Sequence, residues 1–420
     1  MKACPSCSRL YPDDAAFCPV DGQGLRSATQ VPVQASDDER VGSLVTMRYQ
    51  IRRVVADGGM GRVYEALDMQ VKRRVAVKML HADVASDQVS VERFKREFEV
   101  SRLLPHDHII DVLDFQQEGG TYALVMEFLD GEELRTTLQR EKTLTPGRIL
   151  RMVSQIAIGL DAAHANKWVH RDLKPDNIFL CGTREGDVVK ILDFGSVKDK
   201  SAGAKKLTML GTTIGSPYYM APEQAQGLET LDHRADVWAV AAICYECMVG
   251  TVPFQGSNGP MILLAIMTKD PIPPSHASQQ AALPVPATMD EVMEHAFVKN
   301  PNGRIGSVGE LANRIGHAWG LEGDFRTWAE TPQHILDEKI VANLPGLNAQ
   351  RRAAPEVMGD PFAASAPAAM DAAFQAAPPP QVDYPMEAAG VPKKGPPWVI
   401  LVGIGVVCLL LGAVAVVAFR

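Results

Sequence analysis

Between Asp172 and Asn177, in His170-Arg171-Asp172-Leu173-Lys174-Pro175-Asp176-Asn177, the chain places a carboxylate, an ammonium and a carboxamide within six residues. A carboxylate can orient a hydroxyl and take its proton, an ammonium can neutralise a transferring phosphoryl group, and a carboxamide oxygen suits a hard divalent cation. Sixteen residues after Asn177, Asp193-Phe194-Gly195 offers a second metal-binding carboxylate. Alone, the stretch also reads as a capped loop, because Asp, Asn and Pro are turn residues. The elements around it decide between the two readings.

From Tyr49 the pattern alternates and is β-branched, which predicts antiparallel strands. Between the first two lies Ala56-Asp57-Gly58-Gly59-Met60-Gly61-Arg62-Val63, where glycines let main-chain amides approach phosphates without a Cβ clash. A glycine-rich turn by itself is more often a plain hairpin; its placement before Val75-Ala76-Val77-Lys78 gives it weight. A lysine in an apolar strand must find a partner or stay exposed. The charged stretch Val91 to Leu104 predicts a helix with Phe94, Phe98 and Leu103 toward the sheet and Glu97 toward Lys78, with Glu92 and Glu99 as competitors because sequence does not fix helix phase. Tyr122 to Leu129 reads as a buried strand running into a hinge, and Ile149 to His164 as a buried helix leading into the Asp172 loop.

Lys78, Glu97, Asp172, Asn177 and Asp193, in that order, resemble the protein kinase superfamily. Lys174, two residues past Asp172, makes the chain more similar to the serine/threonine kinases, and among them to the bacterial kinases of eukaryotic (Hanks) type. The resemblance implies an α+β, bilobal fold with an antiparallel β small lobe and a mainly helical large lobe over residues 43–320. It implies ATP with Mg²⁺ or Mn²⁺ as cofactor and proteins as substrates. On that likeness Ala56, Asp57, Gly58, Gly59, Gly61 and Val63 would cover the nucleotide, and Ala76, Met126 and the main chain of Glu127 and Leu129 would border the adenine. Lys78, held by Glu97, would pair with the α- and β-phosphates; Asp172 would be the base, Lys174 would neutralise the γ-phosphate, and Asn177 and Asp193 would hold the metal. Arg171 implies a basic pocket for a phosphate on the activation segment, Ser196 to about Met220, where Thr208, Thr212 and Thr213 are candidates and the last two are favoured by their closeness to Gly215 to Glu223, which resembles the family's substrate-docking loop. Glu223 is expected to pair with Arg304, and Asp236 to prop the catalytic loop. His106 and His108 read as structural, and Cys244 and Cys247 as core side chains. The chain departs from the family pattern at Ala56 for glycine, Asp107 for proline, Ser216 for threonine and Ala241 for glycine.

Outside that region, Cys4-Pro-Ser-Cys7 and Cys18-Pro-Val-Asp21 read as two halves of a zinc ribbon over residues 1–27, with Cys4, Cys7, Cys18 and Asp21 as the ligands. A cysteine is usual at the fourth position. Fewer than about thirty residues bury too little apolar surface to fold unaided, which favours a metal staple; a metal-free ribbon and a redox pair are the alternatives. Residues 28–42 read as a polar linker. The N-terminus lacks the apolar core of a signal peptide, and the seven cysteines form no secreted disulfide framework. Residues 321–397 read as a juxtamembrane region, Ala- and Pro-rich from Arg351 on; Trp398 to Phe419, twenty-two residues without a charge, read as one transmembrane helix, a tail anchor. Lys393-Lys394 before it place the catalytic region on the cytoplasmic side of the cell membrane.

The expected activity is that of a membrane-tethered serine/threonine protein kinase, regulated by activation-loop autophosphorylation, with self-association for phosphorylation in trans. The alternatives are a pseudokinase scaffold, hinted at by Ala56, and a zinc-ribbon nucleic-acid binder. The net charge of −8 and the lack of a dense basic and aromatic face on the ribbon count against the last, so no nucleic acid is expected as a partner.

Overall fold

Side chains that alternate between two buried faces build the small-lobe sheet. In the computed structural model the described residues are 1–353 except 6–8, 20–21, 30, 32–37, 195–216, 229–230 and 278–280. Three two-residue strands, β1 (Lys2–Ala3), β2 (Leu10–Tyr11) and β3 (Arg26–Ser27), form an N-terminal sheet in the order β2-β1-β3. There follow β4 (Leu44–Val45), β5 (Tyr49–Asp57), β6 (Gly61–Asp68), β7 (Arg73–Leu80), helices α1 (Ala82–Ala85) and α2 (Gln88–Leu103), β8 (Val112–Glu118) and β9 (Thr121–Glu127). The six longer-range strands pair antiparallel in the order β4-β5-β6-β7-β9-β8. One face packs Tyr49, Ile51, Tyr64, Val75, Val77 and Val125. The other packs Ala76, Leu124 and Met126 against Val91 and Phe94 of α2.

Asp87 starts α2 by accepting from the Val89 and Ser90 amides. Phe94 is buried as expected, but Leu103 is 71 % exposed. At about 100° per residue, the nine positions from Phe94 to Leu103 turn the helix by roughly half a revolution, so Leu103 points away from the sheet.

The large lobe continues with β10 (Glu132–Glu133), α3 (Leu134–Glu141), α4 (Pro146–Ala165), β11 (Ile178–Thr183), β12 (Gly186–Ile191), α5 (Pro222–Ala225), α6 (Arg234–Val249), α7 (Gly259–Thr268), α8 (Pro274–Ala277), α9 (Thr288–Ala296), α10 (Val308–Ala318), α11 (Phe325–Glu330) and α12 (Gln333–Ala353). Helix α6 is buried on every side and runs through the core, with Trp238 stacked on Phe254 at 5.3 Å; Cys244 and Cys247 are buried in it. Thr145 caps α4, with Pro146 in the first turn. The packed structure runs on past residue 320: Leu321, Phe325, Trp328, Leu336 and Ile340 join the large-lobe core, and the Asp337 carboxylate accepts from the Gly147 amide (2.7 Å) and the Thr145 hydroxyl (2.9 Å) at the start of α4. Likewise Ala28 and Val31, in the stretch that reads as a linker, are buried. Among the described residues no helix is long and apolar enough to cross a membrane; Trp398 to Phe419 lie outside them.

Candidate active site

Asp236, at the start of α6, holds the loop between α4 and β11. Its Oδ2 accepts from the His170 amide and from His164 Nε2, both at 2.8 Å, and its Oδ1 from the Arg171 amide at 2.9 Å. Burial alone would push this carboxyl up, but the three donors outweigh it and hold Asp236 below the usual carboxylate range. Arg171 thereby takes a positive φ of 69°. The His170 ring meets the edge of buried Phe194 at 4.8 Å and lies 2.8 Å from the Leu192 carbonyl through Nε2. Past this anchor, Lys174 Nζ lies 2.9 Å from Asp172 Oδ2, and Asn177 Nδ2 donates to the Asp172 carbonyl at 2.6 Å. Those bonds turn the carboxamide nitrogen inward. The Asn177 carbonyl accepts from the Leu192 amide at 2.9 Å, which ties the loop to the residue before Asp193, itself at φ 61°. Asn177 and Asp193 therefore offer oxygen donors of the kind that Mg²⁺ or Mn²⁺ takes.

Lys78 on β7 faces the same space. Its Nζ is 3.2 Å from Glu97 Oε2 on α2 and 3.8 Å from Asp193 Oδ2. Burial works against the ammonium, yet Asp193 and Glu97 more than offset it and keep Lys78 protonated well above its ordinary value. Burial pushes the Glu97 carboxyl up, with Lys78 pulling the other way. Glu92 pairs with Lys95 at 3.7 Å and Glu99 is exposed, so helix phase selects Glu97 among the three carboxylates.

The glycine-rich turn joins β5 to β6, with Ala56 opposite Val63 and Asp57 opposite Arg62. The Gly58 amide donates to the Gly61 carbonyl at 3.1 Å. Gly59 has open space around its α-carbon, as a ligand-approaching position requires, whereas Gly61 is needed for packing: a Cβ there would overlap the Met79 carbonyl oxygen. At the other end of the cleft Met126 is buried and Leu129 packs on the same face. The Glu127 carboxylate takes Lys190 (2.7 Å) and the Asp111 amide (2.9 Å), both at Oε1, and the Glu127 amide donates to the Asp111 carbonyl (2.9 Å), which fixes the entry to the hinge.

Arg171 is half-buried, and its Nε and Nη1 have no hydrogen-bond partner among the described residues. Thr208, Thr212 and Thr213 lie outside the described residues, as do Gly195, Cys7 and Asp21. Arg304 makes a bidentate pair with Glu223 at 2.8 and 2.9 Å, fully buried. His106 and His108 serve the connection into the large lobe: the His108 amide donates to His106 Nδ1 and the His108 ring contacts the Val189 carbonyl.

Three functional residues escaped the sequence reading. His164 completes the Asp236 anchor from the last turn of α4. His81 places Nε2 2.9 Å from the Gly58 carbonyl and 3.1 Å from Asp57, so it tethers the glycine-rich turn. Arg135 on α3 joins Glu246 of α6 (2.9 Å), Asp176 of the loop after Asp172 (3.5 Å) and the Tyr219 hydroxyl, just ahead of α5. Only His164 carried a signal, as the basic group on the last turn of a helix that leads straight into the catalytic loop.

The protein kinase domain family matches residues 49–319. Serine/threonine-protein kinase pkn3 of Myxococcus xanthus is 39 % identical over 275 residues, 64 % of this chain and 50 % of that protein. PknH of Mycobacterium tuberculosis is 37 % identical over 278 residues, 66 % of this chain and 42 % of that one. PknA of M. tuberculosis is 38 % identical over 281 residues, 66 % and 62 %. The chain spans about half the length of the curated relatives it matches. A crystal structure of the M. tuberculosis PknI kinase domain, a double mutant, superposes with a TM-score of 0.53 at 27 % identity, over 66 % of this chain and 98 % of that one.

Proposed function

This chain belongs to the protein kinase family, and from that premise we propose that it is a membrane-tethered serine/threonine kinase that transfers the γ-phosphoryl of ATP to protein hydroxyls. The observation that carries the reading is the closed Lys78–Glu97 pair at 3.2 Å, facing Asp193 across the cleft from an ordered Asp172–Lys174–Asn177 loop. Lys78 binds the α- and β-phosphates, and Glu97 keeps its ammonium aimed at them. Asn177 and Asp193 would hold a divalent cation, which would supply charge neutralisation at the phosphates. Asp172 orients the acceptor hydroxyl and takes its proton, while Lys174, 2.9 Å away, offsets the charge that gathers on the transferring group.

The half-buried guanidinium of Arg171, whose Nε and Nη1 have no partner among the described residues, supports regulation by a phosphate on Thr208, Thr212 or Thr213, added by a second copy of the chain. The N-terminal module holds one zinc ion through Cys4, Cys7, Cys18 and Asp21. Matching turns favour this: the Cys4 amide donates to the Arg9 carbonyl (3.0 Å) and the Cys18 amide to the Gln23 carbonyl (2.8 Å), the same five-residue span, and Gly22 takes the positive φ that the second turn needs. The uncharged run Trp398 to Phe419 anchors the protein in the cell membrane, with Lys393 and Lys394 on the cytoplasmic side with the kinase.

The test is transfer of labelled γ-phosphate by the full chain to itself and to a generic basic protein, beside Asp172→Asn and Lys78→Met. Label on serine or threonine that both substitutions abolish is the expected result. ATP binding without transfer, with zinc and membranes supplied, would sink the enzyme reading in favour of a scaffold. Zinc content per chain, lost in Cys18→Ala, and flotation with vesicles, lost without residues 398–419, check the other two parts.

A further inference from the structure

The sheet face that lines the cleft does not end at the cleft. Side chains alternate along a strand, and the register sets Val63 opposite Lys78, Glu65 opposite Ala76 and Leu67 opposite Arg74, so all six share one face. Neighbours on one face stand about 7 Å apart along a strand. Glu65 thus lies beside Ala76, one same-face step from Val63, and Leu67 and Arg74 lie one step further, toward the hinge. A glutamate with no exposed surface and a largely covered arginine in such a place need partners, since a buried charge left unpaired is costly.

The N-terminal module supplies them through its main chain. The Leu10 amide donates to Glu65 Oε1 at 2.9 Å, and the Leu10 carbonyl accepts from Arg74 Nη1 at 2.8 Å. The other Glu65 oxygen takes Arg53 at 2.6 Å. Leu67 packs among Ala3, Leu10, Ala28 and Val31. On β5 the register slips between Ile51 and Arg53, and Arg52, 2 % exposed, donates to the Ala28 carbonyl at 2.5 Å and the Val31 carbonyl at 3.0 Å. Arg74 then reaches on to the hinge, pairing with Asp130 and lying 4.3 Å over the Phe128 ring. One guanidinium connects Leu10 to the residues on both sides of Leu129.

We infer that the N-terminal module is the outer wall of the adenine end of the nucleotide site, a part of the small lobe that sets affinity for adenine nucleotides. The inference rests on the kinase reading above. The module shields the purine edge from water and fixes the hinge through Arg74, so it acts on nucleotide binding and leaves the transfer step, some distance away at Asp172, unchanged. Because the module contributes main-chain groups, what matters is that it is folded and docked; whatever unfolds it weakens nucleotide binding.

The experiment is calorimetric titration of the full chain with a non-hydrolysable ATP analogue, for wild type, Leu10→Asp and Glu65→Gln, with hydrogen exchange followed over residues 1–31, 63–67 and 126–130. Leu10→Asp puts a carboxylate among apolar side chains and beside Glu65, and is expected to release the module. Kd should rise about fivefold, close to 1 kcal/mol, with exchange protection lost at 1–31 and reduced at 126–130, while kcat at saturating ATP stays within about twofold. Glu65→Gln keeps the shape and should move Kd the same way by a smaller factor, which covers the case that Leu10→Asp does not fold. An unchanged Kd in either variant once residues 1–31 have lost protection overturns the wall. Wild type that binds no nucleotide overturns the kinase reading along with it, and the two failures are thereby told apart.

Discussion

Asp236→Asn tests whether one buried carboxylate sets the catalytic loop. Its two oxygens take three donors: the His170 amide and His164 Nε2 at Oδ2, and the Arg171 amide at Oδ1. An asparagine has one acceptor oxygen. In one orientation its NH₂ meets the Arg171 amide; in the other it meets the His170 amide, with His164 able to adapt only by changing tautomer. Either way a buried main-chain N–H loses its acceptor, at a cost of about 1–3 kcal/mol, and the remaining bonds lose their charge assistance, for a sum of roughly 2–4 kcal/mol. At about 2 °C per kcal/mol for a domain of this size, Tm should fall by about 4–8 °C. The strained φ of Arg171 next to Asp172 depends on the same bonds, so kcat should fall at least about tenfold, equivalent to about 1.4 kcal/mol of misplacement. Asp236→Ala removes all the acceptors and should be worse on both counts. The pH dependence has a definite sign. The folded carboxyl lies below its ordinary value of 3.8, so its stabilisation is complete above that value and is lost as pH falls through the lower folded one. The stability gap between wild type and Asp236→Asn should therefore narrow below about pH 4. Scanning calorimetry across pH and steady-state kinase assays measure both effects. Wild-type Tm and kcat in Asp236→Asn, or an alanine variant milder than the asparagine one, would refute the reasoning.

Two further substitutions probe the frame around the site. Glu223→Gln strands the fully buried Arg304, which keeps its bonds to the Val298 and Arg234 carbonyls, so urea denaturation should show a loss of about 3 kcal/mol. Glu223→Leu combined with Arg304→Met should recover most of that loss, and a double variant as unstable as the single one would count against the pairing argument. Gly131→Ala places a Cβ on the Leu180 carbonyl oxygen, where main chain cannot yield, and should cost about 2–3 kcal/mol by the same measurement; a neutral effect would mean the β10–β11 approach is looser than described.

The catalytic loop was legible because its groups lie within six residues of one another, so spacing alone restricts their geometry. Lys78 and Glu97 were legible for another reason: a charged residue among apolar neighbours demands a partner, and a four-turn helix offers few. That logic has a limit in helix phase, which singled out Glu97 only once the fold was known and which put Leu103 on the wrong side. Where recognition runs through main chain, side-chain reading has nothing to follow. Leu10 bonds Glu65 and Arg74 through its amide and carbonyl, and any residue at position 10 would offer the same groups. Yet half of the signal was present: Arg52, Glu65 and Arg74 are charges in strands otherwise written for burial, as Lys78 is. The demand made by Lys78 applies to them equally and calls for a partner outside the sheet, and the N-terminal cysteine module was a segment with no place assigned in the fold. Arg135 gave no such warning, because an arginine on an amphipathic helix normally faces water, and its three partners come from segments more than 40, 80 and 110 residues away in sequence. The legible part of the site is thus the part where composition conflicts with local environment, and the hidden part is where a residue ordinary for its position is recruited from a distance.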